Sequence, residues 1–415
     1  MNVVGIIAEY NPFHNGHQYH IEEAKKAAHA DFAVVVMSGN FVQRGEPAVF
    51  DKYTRAHMAL KGGADIVLQL PEVYSLGSAE YFAKAGVSIL KNMNVVTHLV
   101  FGSDSASLDQ LSAISSYLNK EPANYQVILK KYLKEGMSFP VAREKTLIEL
   151  LPCIDDLKGL SKDDISTLLK NSNDILALEY LRALQSSKIK PIAIKRADNS
   201  YHDTDLSSEG FSSATSIRLH LKEHGFDARI KEQLPNEAAI VLEKTKAIHR
   251  PLFLDDFSPE LYYALRFLEP EELASYADVS FELANRMKTC LSDFTDISGY
   301  ISGLKNKSLT YSRISRSLMH ILLKHPALPV TQANDVPYAR LLGFQKDASP
   351  LLKNCNNAHF QIITKPANAY KSLSKNAYDM FLKDIAASDL YNQKVFEKYG
   401  IRLTPDYAHP LCILD

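Results

Sequence analysis

Gly5-Ile6-Ile7-Ala8-Glu9-Tyr10-Asn11-Pro12-Phe13-His14-Asn15-Gly16-His17-Gln18-Tyr19-His20 is the stretch whose reading decides the fold: an apolar run, a turn, and the start of a helix. Residues 3–8 are apolar and partly β-branched, the composition of a buried strand in a parallel sheet. Asn11 and Pro12 break the strand, and a segment rich in Ala, Glu and Lys follows as a helix. A strand running straight into a helix N-terminus leaves unpaired backbone N–H groups aimed at one spot, and Gly16 removes the side chain that would keep a ligand away. Such a spot attracts phosphate. His14 and His17 lie on one side of the first helical turn and can donate to the same phosphate group. The stretch reads as a nucleotide-binding turn. A metal cluster is the poorer reading: with His14, His17 and His20 all helical, the outer two are about 9 Å apart along the axis, too far to share one ion.

Working outward, the chain alternates strands and helices up to about residue 200. Residues 32–37 form a second strand ending in Ser38-Gly39-Asn40. Asp51 caps a helix closed by Gly62 and Gly63, residues 66–70 are a third strand stopped by Pro71, and Ser78 opens another helix. Residues 95–101 form a fourth strand ending in Gly102-Ser103-Asp104, residues 105–188 are helical, and 191–195 form a fifth strand followed by a polar loop over 196–209. This alternation predicts an α/β fold with a Rossmann-like five-stranded parallel core, ligands lying at the carboxyl ends of its strands. Beyond about 225 helices dominate, over 259–268, 281–291 and 308–324. A short strand, helix, strand unit is expected between 336 and 364, and two helices finish the chain. The expected organisation is therefore a nucleotide-binding domain over 1–225 and a mostly helical domain over 226–415.

Composition narrows the class. A chain of 415 residues exceeds what one core usually supports. The net charge of −1 gives no global pull toward nucleic acid, so any basic patch is local, and nothing calls for DNA. The four cysteines, Cys153, Cys290, Cys355 and Cys412, show no paired spacing, which fits a reducing cytoplasm rather than a disulfide scaffold or zinc site. No apolar run approaches a membrane span and the N-terminus reads as a core strand, so a cytoplasmic location is expected.

A second anion site is expected where Phe211-Ser212-Ser213-Ala214-Thr215-Ser216-Ile217-Arg218 starts a helix with several hydroxyls in its first turn. The two stretches together resemble the two signatures of the HIGH-type nucleotidyltransferase superfamily, His14-Asn15-Gly16-His17 matching the first and Ser212 to Arg218 the second, with Ala214 breaking the usual run of hydroxyls. Within that superfamily the chain is similar to the bacterial tRNA(Met) cytidine acetate ligases, through residues 5–20, 37–45, 50–63, 101–104, 173–180 and 311–323. That resemblance implies ATP as a substrate with Mg2+ on its phosphates, acetate activated as acetyl-adenylate, and elongator tRNA(Met) as acceptor through its wobble cytidine. Gly5 to Gln18, Gly102, Asn173, Arg196, Ser212, Ser213 and Ile217 are then expected to hold the nucleotide.

The roles follow from the chemistry of attack at an α-phosphate, which spreads negative charge over the equatorial oxygens and is catalysed mainly by positioning and electrostatics. His14 and His17 are expected to donate to the α- and β-phosphates, Ser213 to open a second helix onto them, and Arg218 to neutralise the leaving pyrophosphate. Gly102, at a strand end, lets ribose or base lie against the backbone. Asn173 either caps its helix or contacts adenosine. Ser38, Asn40 and Arg44 either hold acetate or the cytidine, or form a solvated loop. Lys52 and Arg55 read most simply as the polar face of a helix. Lys305, Lys307, Tyr311, Arg313 and Arg316 are a candidate RNA contact, whose plainer reading is a charged helical face. Two other functions compete: a small-molecule adenylyltransferase, to which the long C-terminal half would be superfluous, and an RNA-binding protein that only senses ATP.

Overall fold

Apolar runs bounded by Asn, Gly and Pro become strands here, and two of the helices that follow them start at capping residues, His14 and Asp51. The computed structural model describes residues 1–105, 107–185, 187–196, 206, 210–353, 355 and 357–415; most of the polar loop expected over 196–209 lies outside the described residues. The first half contributes β1 (Val3–Ala8), β2 (Phe32–Ser38), a short hairpin of β3 (Phe41–Val42) and β4 (Glu46–Pro47), then β5 (Ile66–Leu70), β6 (His98–Ser103) and β7 (Lys190–Lys195). Between them run α1 (Asn15–Ala28), α2 (Lys52–Lys61), the single turn α3 (Glu72–Ser75) and α4 (Ala79–Asn92). Asp51 caps α2 as expected, its carboxylate accepting the Tyr53 and Thr54 N–H groups.

Five strands are parallel and lie in the order β5, β2, β1, β6, β7, so the chain reverses direction across the sheet next to β1. That reversal opens a crevice at the carboxyl ends of β1 and β6. Along β2 the side chains alternate: Val34 and Val36 pack with α4, while Ala33, Val35 and Met37 pack with α1 and α2. Both faces are covered by helices, which is why the central strands β1 and β2 read as near-continuous apolar runs rather than alternating with polar residues.

The sheet also crosses the boundary expected at 225. Residues 336–364 do hold strands, β8 (Tyr338–Gln345) and β9 (Gln361–Ile363), but β8 pairs antiparallel with β5 and takes β9 and β10 (Cys412–Leu414) as parallel neighbours. The result is an eight-stranded sheet around the five-stranded parallel core. A separate helical core joins residues 252–323 to the long Lys375–Tyr399 helix.

The reading of Lys52 and Arg55 as a solvated helix face is corrected by the structure, since both are fully buried. Lys52 Nζ donates to Ser388 Oγ and Asp406 Oδ2, each at 2.7 Å. Arg55 donates to four backbone oxygens, those of Phe50, Glu9, Ser38 and Gly39. Buried charges of this kind hold backbone that lacks secondary-structure partners, here the segments following β1 and β2. Sequence periodicity around Asp51 marks the helix but not its partners, which come from the far end of the chain.

Candidate active site

At the carboxyl end of β1 the chain turns through Tyr10 and Asn11 into α1. His14 is the N-cap of α1: its Nδ1 accepts the Gly16 N–H at 3.1 Å, and His17 Nδ1 accepts the His14 N–H at 3.3 Å. A backbone amide can only donate, so both Nδ1 atoms are bare and both ring protons sit on Nε2. The two rings stack with centroids 3.8 Å apart. Desolvation, helped by Arg196 and Arg218, brings His14 down to about 3. Desolvation, then His14, takes His17 well below the usual range, and desolvation with Arg196 brings His20 down to about 4. The pair therefore places two neutral imidazoles at a helix N-terminus on the cavity wall, the kind of setting that receives phosphate oxygens.

The second signature meets the first. Ser213 caps the Ala214–His224 helix, its Oγ accepting the Ser216 N–H at 3.1 Å. Arg218 donates to the Asn11 carbonyl at 2.9 Å and sits 3.1 Å from Glu46 Oε1, so it clamps the turn after β1 from behind the cavity wall while its charge still reaches His14. Arg44 does line the cavity, between Glu9 and Thr215 at 3.6 and 3.4 Å.

Around these groups lies a cavity of about 670 Å³, ample for a nucleotide. Its wall includes Ile6, Ile7, Ala8, Glu9, Tyr10, Asn11, His14, Gly16 and His17 from the first stretch. Gly102, Asn173 and Arg196 form one rim, where Arg196 Nη1 donates to Asn173 Oδ1 at 2.8 Å and Asn173 Nδ2 donates to Asp104 at 3.1 Å. A Cβ on Gly102 would stand 3.1 Å from Arg196 Cγ, so the glycine keeps that arginine in place.

Other expected residues serve the scaffold. Gly5 backs onto Leu90, where a Cβ would come within 2.7 Å. Pro12 and Phe13 are buried beneath the turn, Ile217 is core, and Asn15 binds the Glu232 carbonyl at 2.8 Å. Gln18 and Ser212 adjoin the cavity's helices without lining it. The substrate expectation for Ser38 and Asn40 is corrected: both are buried off the cavity, Asn40 Oδ1 capping the Lys52 N–H at 2.8 Å. Of the basic stretch, Arg313 and Arg316 line the cavity, with Arg316 paired to Asp278 at 2.9 Å, whereas Lys305, Lys307 and Tyr311 are exposed outside it. Sequence reasoning missed Glu46 and Asp104, and also Phe139, Arg143, Glu179 and Tyr180, which line the side of the cavity facing α4. Asp104 stands two residues after Gly102 at a strand end, and Glu179 and Tyr180 close the 173–180 stretch, so those signals were available; Glu46, Phe139 and Arg143 carry no local motif.

A Rossmann-like sheet with two helix N-termini and paired histidines meeting at its carboxyl edge defines a nucleotidyltransferase-type site. The chain belongs to the HIGH Nucleotidyl Transferase family, whose model matches residues 1–402, and within it to the tRNA(Met) cytidine acetate ligases. The ligase of Caldanaerobacter subterraneus subsp. tengcongensis is 39% identical over 415 residues, 99% of each chain, and that of Halothermothrix orenii is 37% identical over 401 residues, 94% of each chain. Among solved structures, Thermotoga maritima TmcAL superposes over 100% of both chains at 31% identity, with a TM-score of 0.92 for the apo form. The same protein bound with alpha-thio ATP gives a TM-score of 0.90 at 30% identity.

Proposed function

We propose that this protein activates acetate with ATP and transfers the acetyl group to the N4 amine of the wobble cytidine of elongator tRNA(Met), forming N4-acetylcytidine. The observation that carries the reading is the pair of neutral imidazoles, His14 and His17, which line the cavity at a helix N-terminus beside Arg44 and Arg196. In the first step an acetate oxygen attacks the α-phosphorus, the bond to the pyrophosphate oxygen breaks, and acetyl-adenylate forms. Hydrogen bonds from His14 and His17 stabilise the charge that builds on the phosphate oxygens, without the electrostatic trap an imidazolium would set for acetate. In the second step the cytidine amine attacks the acetyl carbon, AMP leaves with the former acetate oxygen, and the amine loses a proton. No protein nucleophile is needed.

The names of the relatives and the alpha-thio ATP held by the Thermotoga neighbour support ATP and tRNA(Met) as substrates. Residues 1–225 would carry the nucleotide chemistry, and 226–415 would bring the anticodon arm to it, with Arg313 and Arg316 nearest the cavity and Lys305, Lys307 and Tyr311 further out. Magnesium would arrive on the ATP phosphates and offset their charge. Glu9 fits it, since Oε1 is buried without a hydrogen-bond partner in a residue of the cavity wall, and no cluster of three or more candidate ligands exists among the described residues. No helix among the described residues is long and apolar enough to cross a membrane, in keeping with work on tRNA in the cytoplasm.

Incubating the protein with ATP, labelled acetate and tRNA, followed by mass analysis of the cytidines, tests the proposal directly. His14→Ala and His17→Ala should each abolish acetate-dependent pyrophosphate release. Full activity in either variant sinks the assignment.

A further inference from the structure

The cavity does not stop at the nucleotide turn. It continues over the carboxyl edge of the sheet toward α4, into a lobe walled by Phe139, Arg143, Glu179 and Tyr180, with Ser78 and Glu80 at the start of α4. The Ser172–Leu184 helix runs along both parts, with Asn173 at the Arg196 rim. Glu179 lies six residues further on, about 9 Å along the helix axis.

Arg143 is the group in this lobe whose bonding is incomplete. It is only 5% exposed, its Nη1 donates to Glu179 Oε1 at 2.7 Å, and its Nε is buried with no partner. Glu179 Oε2 accepts from Arg182 Nη1 at 2.7 Å. An N–H of a charged group left unpaired in the interior is costly, and a ligand that accepts from it recovers the loss. Beside it the Phe139 ring, with the Arg143 guanidinium carbon 5.7 Å from its centroid, is 48% exposed although it is a large apolar side chain at a cavity wall. A half-open aromatic face next to an unpaired donor and an acceptor-rich carboxylate is a site for a flat polar ring.

Charge decides between this ring and acetate. Glu179 takes hydrogen bonds from both Arg143 and Arg182, and Glu80 is paired with Lys84, so the charges at this lobe are already matched with one another rather than free to hold a carboxylate. A neutral pyrimidine suits it better. Cytosine has ring acceptors for a guanidinium N–H and an exocyclic amine whose protons suit a carboxylate. We infer that the lobe bounded by Phe139, Arg143 and Glu179 is the acceptor-base pocket, taking a cytosine turned out of a single-stranded RNA loop. Phe139 stacks on the base and the Arg143–Glu179 pair reads its Watson–Crick edge. The inference rests on the function proposed above and adds the residues that select the base.

The test uses the full chain and two variants, Phe139→Ala and Arg143→Gln. Three quantities are measured: acetate-dependent exchange of pyrophosphate into ATP without RNA, acetylcytidine formed on tRNA(Met), and binding of its anticodon stem–loop with cytidine or uridine at the wobble position. The expected result is exchange within about twofold of wild type, acetylation reduced at least about tenfold, and loss in Arg143→Gln of the wild-type preference for the cytidine loop. Wild-type acetylation in both variants overturns the pocket, and so does loss of exchange in step with acetylation. Should Arg143→Gln fail to fold, Phe139→Ala, which removes a half-exposed ring, decides alone. A wild-type protein that exchanges no pyrophosphate refutes the activation chemistry itself, whereas intact exchange and acetylation in wild type and variants refutes only the pocket.

Discussion

Replacing Gly45 by Ala should damage both stability and RNA-dependent activity, and the size of the effect can be worked from the backbone. Gly45 sits between β3 and β4 at φ +83°, and its carbonyl accepts the Ser315 hydroxyl at 2.7 Å. A Cβ there would stand 2.4 Å from Arg316 N and 2.6 Å from the Ser315 carbonyl carbon. These are backbone atoms of the Tyr311–Leu322 helix, which cannot swing aside as a side-chain tip can. A non-glycine residue in the left-handed region costs about 1–2 kcal/mol. Forcing packed backbones apart adds about 1–3 kcal/mol, for a total of about 2–5 kcal/mol. Because the displaced helix carries Arg313 and Arg316, acetyl transfer to tRNA should fall further than acetate-dependent pyrophosphate exchange. Two other glycines separate the terms. Gly136 has φ +80° and nothing within 4 Å of a built Cβ, so Ala there should lose only the backbone share, about 1–2 kcal/mol. Gly303 lies in the Ile297–Leu304 helix, again with nothing within 4 Å, and Ala there should gain about 0.5–1 kcal/mol. Urea denaturation of the three variants should rank Gly303→Ala above wild type, then Gly136→Ala, then Gly45→Ala. A Gly45→Ala midpoint equal to that of Gly136→Ala would refute the steric argument.

The buried cluster around Asp406 predicts an order of its own. Asp406→Ala strands Lys52 and Arg340 facing each other and should cost about 3–5 kcal/mol, while Lys52→Met leaves Asp406 paired with Arg340 and should cost about 1–3 kcal/mol; equal losses in urea denaturation would contradict it. Acidification should also weaken the fold through His14. Its folded pKa is about 3 against 6.5 unfolded, so the unfolded chain takes the proton first. The contribution is whole above pH 6.5 and falls as the pH drops toward 3, by about 1.4 kcal/mol per unit. Urea midpoints between pH 7 and 5 should therefore decline more steeply in wild type than in His14→Asn, which retains an acceptor for the Gly16 N–H, and parallel declines would show that His14 is not held neutral.

What could be read in advance was what depends on neighbours in the chain. The β1 turn, the Asp51 and Ser213 caps and the five parallel strands follow from short apolar runs and capping chemistry, and all lie close to where the sequence predicts, the fourth strand running over His98–Ser103 rather than 95–101. What could not be read depends on partners hundreds of residues away. β8 looks like any apolar strand until it finds β5, and Lys52 looks like a surface lysine until Ser388 and Asp406 cover it. Ser38 and Asn40 follow the same logic: polar residues at a strand's carboxyl end suggest ligand contact, but Arg55 takes the Ser38 carbonyl, and Glu72 and the start of α2 take the Asn40 N–H and side chain. Arg143 and Phe139 lie in a helix of mixed polarity whose pattern gives no hint that it closes a cavity.

Asp406 has a further consequence, in the order of synthesis. Lys52 leaves the ribosome 354 residues before the carboxylate that neutralises it. At about 5–20 residues per second that interval is roughly 20–70 s. Throughout it α2 settles against the sheet only by burying Lys52 without its hydrogen-bonded carboxylate, and α2 supplies Arg55, whose guanidinium holds the Glu9 carbonyl at the start of the nucleotide turn. The ATP site is thus encoded first and completed last.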